Sequence, residues 1–140
     1  MRLTGTHLFT IDAILGPAVE VGATPAGLRR VIPVVGGTVS GGLAGDVLPG
    51  GADWNLVRPD GSTELWARYE LRLADGAVVS VLNTALHPPG AEPPILTTPR
   101  FDVGDGGPVH LRAGVFVGVL TPPAGEPRVR IEVHRVDVGP

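Results

Sequence analysis

The segment Glu64–Leu73, ELWARYELRL, decides the fold class because its residues alternate between two chemical types. One set is Leu65, Ala67, Tyr69, Leu71 and Leu73, and the other is Glu64, Trp66, Arg68, Glu70 and Arg72. Successive side chains of a β-strand point to opposite faces, whereas an amphipathic helix repeats every three or four residues. The segment is therefore predicted to be a half-buried strand.

The same alternation recurs along the chain. It predicts a closing strand at Arg128–Val136 and a long strand at Val109–Leu120, in which the glycines suggest a bulge or close packing. Further candidates are Thr6–Leu15, Leu28–Val35, Gly37–Gly42, Trp54–Arg58 and Thr97–Val103. Asp-Gly pairs in Pro59–Ser62 and Ala74–Ala77 favour tight hairpin turns, so consecutive strands are expected to be antiparallel neighbours.

The proline-rich segment His87–Pro94 is expected to form a loop, because proline prevents regular strand pairing. No long window shows the apolar spacing of a helix. We expect an all-β chain with minimal helix: a single domain over residues 1–140, folded as a closed or nearly closed antiparallel barrel of about eight to ten strands. Closure is favoured over a sandwich because it removes the exposed edges of so many strands.

Composition excludes several classes of protein. The chain has 21 glycines and 15 prolines, but 43% of its residues are hydrophobic and only 18% are charged, so it is not a disordered chain. A net charge of −3, without any charge run, gives no footprint for nucleic acid. The absence of cysteine excludes disulfides and thiolate chemistry. No segment is apolar enough to act as a signal or a membrane span, so a soluble cytoplasmic protein is expected.

Three further segments carry a resemblance to a known family: Val21–Arg30, Gly36–Gly41 and Leu48–Trp54. Together with shorter matches at Asp60-Gly61, Ala67–Tyr69, Asp75-Gly76, Thr98–Phe101 and Phe116–Gly118, they resemble the domain of unknown function 3237 family. The resemblance covers most of the chain in order. It implies a compact β-barrel and no established general reaction. The chain departs from the family pattern at Asn83–His87 and Val109–Arg112, which marks either a specialised pocket or ordinary drift.

Several kinds of site lack their sequence signals. The four histidines, His7, His87, His110 and His134, are far apart, so no metal site is expected. The glycines between Gly36 and Gly51 have neither the lysine nor the following helix of a phosphate loop, and they are interpreted as points where strands approach and bend. The serines lie in no recognisable catalytic turn. No cofactor is expected.

The remaining candidate site combines a carboxylate, a cation and aromatic residues. Asp53 is the candidate base, and Arg68 or Tyr69 would stabilise a developing oxyanion. His87 and His110 are candidate acids or bases, since histidine titrates near neutral pH. The candidate ligand-binding residues are Trp54, Trp66, Glu70, Phe101 and Phe116.

Each of these residues also has a structural interpretation. Asp53 would cap the Gly-Gly turn before it, and Glu64 and Arg72 would form ion pairs on a solvent-facing strand surface. Most of the aromatic residues would pack in the core. The two histidines would be ordinary surface residues.

These observations favour a cofactor-independent lyase, isomerase or cyclase acting on an apolar, carbonyl-bearing small molecule inside the barrel, in secondary metabolism. The alternative is a barrel that binds or carries the same molecule without converting it. A homodimer formed through a barrel face is a third hypothesis, and its support is the valine content of the predicted outer surface.

Overall fold

Ten β-strands account for most of the computed structural model, which describes residues 1–122 and 125–140. In chain order they are β1 (Arg2–Leu15), β2 (Val19–Thr24), β3 (Gly27–Gly41), β4 (Gly45–Val47), β5 (Gly51–Val57), β6 (Thr63–Leu73), β7 (Val78–His87), β8 (Ile95–Val103), β9 (Val115–Thr121) and β10 (Arg128–Gly139). A single turn of 3₁₀ helix, Val109–Leu111, precedes β9. Within the described residues, no helix is long and apolar enough to span a bilayer.

The sheet closes on itself because β1 pairs with β10 along one side and with β3 along the other. From β3 the antiparallel order continues through β4 and β5 to β6, β7, β8 and β9, and returns to β10. The short strands β4 and β5 share one position between β3 and β6, and β2 pairs with the part of β3 that β1 does not reach. The described residues thus form an eight-stranded antiparallel barrel with two extra strands, which confirms the predicted fold class.

The alternation in β6 separates the inside of the barrel from the outside. Tyr69, Leu71 and Leu73 are buried, whereas Trp66 and Arg72 are exposed. The opposite closing strand, β10, follows the same rule, because Ile131 and Val133 are buried. The apolar set of the predicted strand therefore faces inward, and its charged set forms the outer wall.

The two ends of the barrel differ in how they are filled. At one end, here called the packed end, large side chains occupy the interior and leave little space. Phe101 lies at its centre, with ring centroids 5.8 Å from Phe9 and 5.3 Å from Phe116. Leu71 and Val79 are fully buried beside them. The same strands carry smaller or polar inward side chains towards the other end, which is here called the open end.

The predicted long strand Val109–Leu120 is wrong in its first half. Residues Val109–Leu111 form the 3₁₀ turn, and β9 begins only at Val115. Gly114 has φ +119°, a left-handed conformation that turns the chain into the strand. The 3₁₀ turn places Leu111 in the hydrophobic core, where it is 1% exposed. Leu111 lies between the polar residues His110 and Arg112, and this alternation is why the sequence predicts a strand there.

Other boundaries also differ from the sequence-based prediction. The two candidate strands Leu28–Val35 and Gly37–Gly42 are one continuous strand, β3. Both predicted Asp-Gly turns are present, at Asp60-Gly61 and Asp75-Gly76. The proline-rich loop follows β7, although its first predicted residue, His87, is the last residue of that strand.

Two consecutive glycines in β3 have different surroundings where this strand meets β1. Gly37 has φ +137°, and a Cβ atom there would overlap the carbonyl oxygen of Asp12 on β1. Gly36, the preceding residue, has no atom within 4 Å of the place where a Cβ would lie. The close approach of strands predicted from the glycine pattern therefore depends on Gly37.

We predict that Gly37→Ala lowers the free energy of unfolding by at least about 2 kcal/mol, because alanine adds both backbone strain and a clash with β1. Gly36→Ala is the matched control and should change the free energy of unfolding by less than about 1 kcal/mol. Urea denaturation followed by circular dichroism measures both. Equal stabilities of the two variants would contradict the proposed role of Gly37 in barrel closure.

Candidate functional site

A cavity of about 290 Å³ occupies the open end of the barrel. This is near the lower limit of the roughly 300–1,000 Å³ typical of small-molecule sites. Its wall is built from side chains of eight strands, all except β2 and β4, and from Pro122 just after β9, so it lies inside the barrel and not on its surface. The wall residues are Ala13, Leu15, Arg30, Ile32, Val34, Asp53, Asn55, Thr63, Leu65, Ala67, Tyr69, Asn83, Ile95, Leu120, Pro122, Val129 and Ile131.

The register of three neighbouring strands brings the main polar side chains together. Asp53 on β5 is paired with Ala67 on β6, and Ala67 is paired with Asn83 on β7. Tyr69 is two residues beyond Ala67 on the same face of β6. It is therefore diagonal to both Asp53 and Asn83, a relationship that separates residues by about 7–8 Å. The small side chain of Ala67 leaves room between the three polar groups.

The absence of a side chain at Gly51 allows Tyr69 to enter this arrangement. A Cβ atom at Gly51 would overlap the carbonyl oxygen of Arg68 and crowd the Cβ and Cα atoms of Tyr69. Strand β5 therefore begins with a residue that can lie against the Tyr69 backbone. Two residues later, β5 presents Asp53 to the cavity.

The Asp53 carboxylate is fixed by two hydrogen bonds. The backbone N–H of Trp66 donates to Oδ1 over 2.8 Å, and the Asn55 amide donates to Oδ2 over 3.3 Å. Burial raises the pKa of the Asp53 carboxyl above its ordinary value of 3.8. The two hydrogen bonds and the positive charges of Arg30 and Arg29 oppose this effect, but the loss of solvation is larger. Asp53 is therefore a stronger base than a solvated aspartate.

Three polar atoms of the cavity wall are buried without a hydrogen-bond partner in the described part of the chain. They are the Tyr69 hydroxyl, Asn55 Oδ1 and Asn83 Oδ1. More than about 90% of buried polar groups in folded proteins are paired, so three unpaired atoms around one cavity indicate a binding site. Burial also raises the pKa of the Tyr69 hydroxyl. This hydroxyl stays protonated at neutral pH and can donate a hydrogen bond.

Of the five candidate catalytic residues, the structure places Asp53 and Tyr69 at the cavity. Arg68 is on the outer wall of β6, with its guanidinium 4.0 Å from the Asp102 carboxylate. His87 is at the open end but outside the cavity wall, with its Nε2 2.9 Å from the carbonyl oxygen of Ala91. His110 is exposed in the 3₁₀ turn near the packed end.

The candidate ligand-binding residues lie away from the cavity. Trp54 and Trp66 are on the outer wall, each 40% exposed, with ring centroids 5.6 Å apart. Glu70 is also on this wall and accepts a hydrogen bond from the Ser80 hydroxyl. Phe101 and Phe116 are in the hydrophobic core of the packed end. None of the five is part of the described cavity wall.

Sequence reasoning did not select Arg30, Asn55 or Asn83. The available signal was a polar residue at an inward position of a strand, as in Asp53-Trp54-Asn55, where the first and third residues share a face. Asn83 belongs to the segment Asn83–His87, which the sequence predicts to depart from the family pattern. Among the described residues, no group of three or more histidine or carboxylate side chains is arranged to hold a metal ion.

A family model described as a protein of unknown function, DUF3237, matches residues 3–136. The chain belongs to the DUF3237 family. A UPF0311 protein of Bradyrhizobium diazoefficiens is 37% identical over 145 residues, which cover 93% of this chain and 94% of that protein. This DUF3237 chain is therefore similar to that relative over almost the whole of both sequences, as the motifs predicted.

Solved structures show the same barrel. The crystal structure of the conserved protein of unknown function RPA1785 from Rhodopseudomonas palustris is 37% identical in sequence, with a TM-score of 0.87 over 98% of this DUF3237 chain and 99% of that chain. A structure of an enzyme from Penicillium herquei has a TM-score of 0.77 over 97% of this chain and 94% of that chain. At 20% identity, that second similarity shows the fold alone.

We predict that Asp53 makes the stability of the protein depend on pH in a defined direction. Because its pKa is higher in the folded state than the ordinary 3.8, the folded state holds this proton more tightly than the unfolded state. The unfolding free energy of the wild type, relative to Asp53→Asn, should therefore rise as the pH falls through the raised pKa towards 3.8. Above that window the difference should be constant.

Urea denaturation of both proteins at a series of pH values measures this difference. Asp102→Asn is the control for loss of a carboxylate, because the Asp102 side chain is 86% exposed. A wild type that loses stability relative to Asp53→Asn on acidification through the same window would contradict the desolvated environment of Asp53.

Proposed function

We propose that this chain is a cofactor-independent enzyme that removes a proton next to the carbonyl group of an apolar small molecule bound in the barrel cavity. The observation that carries the proposal is the position of a desolvated carboxylate, Asp53, diagonally opposite a buried hydroxyl, Tyr69, that lacks a partner in the described structure. A base and a hydrogen-bond donor held in this way are the two groups that enolisation requires.

In the proposed reaction, Asp53 takes the proton from the carbon next to the carbonyl group. The electron pair of the broken C–H bond moves into a new C=C bond, and the carbonyl oxygen becomes an enolate oxygen. The Tyr69 hydroxyl donates a hydrogen bond to that oxygen. Little water competes inside the apolar cavity, so this hydrogen bond is stronger than it would be in solution.

The enolate has three outcomes that balance without another reactant. Loss of a leaving group from the carbon next to the enolate carbon, with the proton held by Asp53 passing to that group, gives an elimination. Return of the proton to a different carbon gives an isomerisation. Attack of the enolate carbon on an electrophilic group of the same molecule, with return of the proton to the product, gives a cyclisation. The proposal therefore covers a lyase, an isomerase or a cyclase, and a biosynthetic role for any of them.

Arg30 contributes a positive charge at the edge of the cavity. The Arg30 side chain lines the cavity wall. On the neighbouring strand Arg30 is paired with Asn55, which is two positions from Asp53 along β5. This charge favours the ionised form of Asp53 in the resting protein. It also favours negative charge on a bound enolate.

β-Tetralone is the probe for this proposal because it is an apolar bicyclic ketone with an acidic C–H bond between its carbonyl group and its aromatic ring. We predict saturable, protein-catalysed exchange of that proton in deuterated water, measured by mass spectrometry. Asp53→Asn should lower the exchange rate by about 10²–10⁴-fold. Tyr69→Phe should lower it by about 10²–10³-fold.

Two further variants separate the cavity from the outer wall. Ala67→Leu fills the space between the polar groups and should abolish β-tetralone binding measured by calorimetry. Arg68→Ala, the adjacent residue on the outer wall, should leave binding and exchange unchanged within about twofold. If the wild type binds β-tetralone, Ala67→Leu abolishes that binding and no exchange above that of buffer is measured, the result supports a carrier and overturns the proposed enzyme. Absence of binding, or exchange that survives Asp53→Asn, would also overturn the proposal.

A further inference from the structure

The unpaired atoms of the cavity restrict the chemistry of its ligand. Asn55 donates its amide N–H to the Asp53 carboxylate, which can only accept, so the orientation of this amide is fixed. Its Oδ1 atom is therefore an acceptor, and it is buried without a partner in the described chain. Asn83 Oδ1 is a second buried acceptor without a partner. Each of these oxygens can accept a hydrogen bond from a donor group on the ligand.

The Tyr69 hydroxyl has the complementary requirement. It is the only proton donor among the three unpaired buried atoms of the described cavity wall, so it requires an acceptor on the ligand. An acceptor near Tyr69 and a donor near the asparagine oxygens cannot be the same carbonyl group, because a ketone oxygen only accepts. A ligand whose carbonyl oxygen accepts from Tyr69 must therefore carry a second polar group that donates.

The charges of the wall decide between neutral and charged ligands. The Asp53 carboxylate and the two amide oxygens present negative charge or electron density, which disfavours an anionic group beside them. Arg30 and Arg29 act on the same carboxylate with positive charge, which opposes the entry of a cation. Most of the remaining wall is apolar, and a charged ligand would lose its hydration there. A neutral hydroxyl group can donate to one of these acceptors without this cost.

We infer that the ligand of this cavity is a neutral, apolar ketone that also carries a hydroxyl group, with its carbonyl oxygen at Tyr69 and its hydroxyl donating to the side-chain oxygen of Asn83. The inference deepens the proposed function and rests on it for the role of the carbonyl group. The hydroxyl group supplies specificity, since a buried acceptor left without its donor weakens binding of an analogue that lacks the hydroxyl.

The experiment uses calorimetry with the full chain to compare four sets of probes. They are β-tetralone, the positional isomers of ring-hydroxylated β-tetralone, the corresponding methoxy compounds, and the aminotetralin in which an amine replaces the ketone. At least one hydroxylated isomer should bind about tenfold or more tightly than β-tetralone. Its methoxy counterpart should lose this gain, because it keeps the oxygen but lacks the proton that the Asn83 side-chain oxygen would accept.

Asn83→Leu removes the acceptor at nearly constant volume and should reduce the preference for hydroxyl over methoxy to below about threefold. Thr84→Val is the matched control, because Thr84 is paired with Trp66 on the outer wall, and it should keep the full preference. Unfolding measurements show whether both variants are folded. A preference that survives unchanged in folded Asn83→Leu would overturn the assignment of the acceptor.

The outcomes separate this inference from the proposed function. Proton exchange of β-tetralone with no preference for any hydroxylated isomer would overturn the hydroxyl inference and leave the enzyme. A hydroxyl preference that depends on Asn83, without exchange of any ketone, would overturn the enzyme and leave the binding chemistry. Tightest binding by the aminotetralin would overturn the inference in favour of a cationic ligand.

Discussion

Closure of the sheet through β1 is the constraint on which the rest of the molecule depends. Once β1 pairs with both β10 and β3, every strand of the barrel has one face directed into an interior of fixed width. An eight-stranded barrel is just wide enough for its side chains to fill it or to leave space for one small ligand. The size of the inward side chains therefore decides where the barrel is solid and where it is hollow. Phe101 fills the packed end, and Ala13 and Ala67 leave the open end hollow.

This division separates stability from function along the barrel axis. The fully buried side chains of the packed end, such as Phe9 and Leu71, remove apolar surface from water and contribute most to stability. The open end instead buries a carboxylate and three unpaired polar atoms, which are costly in a low-dielectric interior. A ligand that pairs with those atoms offsets this cost. The raised pKa of Asp53 is thus one consequence of burying a base in an apolar cavity.

The fold could be predicted from the sequence because period-two alternation is a local signal, and Glu64–Leu73 contains it in full. The site could be predicted only in part. Arg68 and Tyr69 are adjacent in the sequence and were grouped as oxyanion-stabilising candidates, but adjacent residues of one strand face opposite sides of the sheet. Tyr69 is inside the barrel, and Arg68 is outside. Alternation assigns residues to two faces, and only the closed sheet shows which face is enclosed.

The polar groups of the site depend on register, which the sequence does not reveal. Asp53 and Asn83 are far apart in the chain, and they face each other across Ala67 only because β5, β6 and β7 pair in one alignment. A shift of one residue in either pairing would turn a polar group to the outer wall. Hairpin turns fix the register, so the base, the donor and the acceptors lie on rigid neighbouring strands without any contribution from loops. Asn83 belongs to the segment Asn83–His87, which the sequence predicts to depart from the family pattern, and it is the residue of that segment found in the described cavity wall.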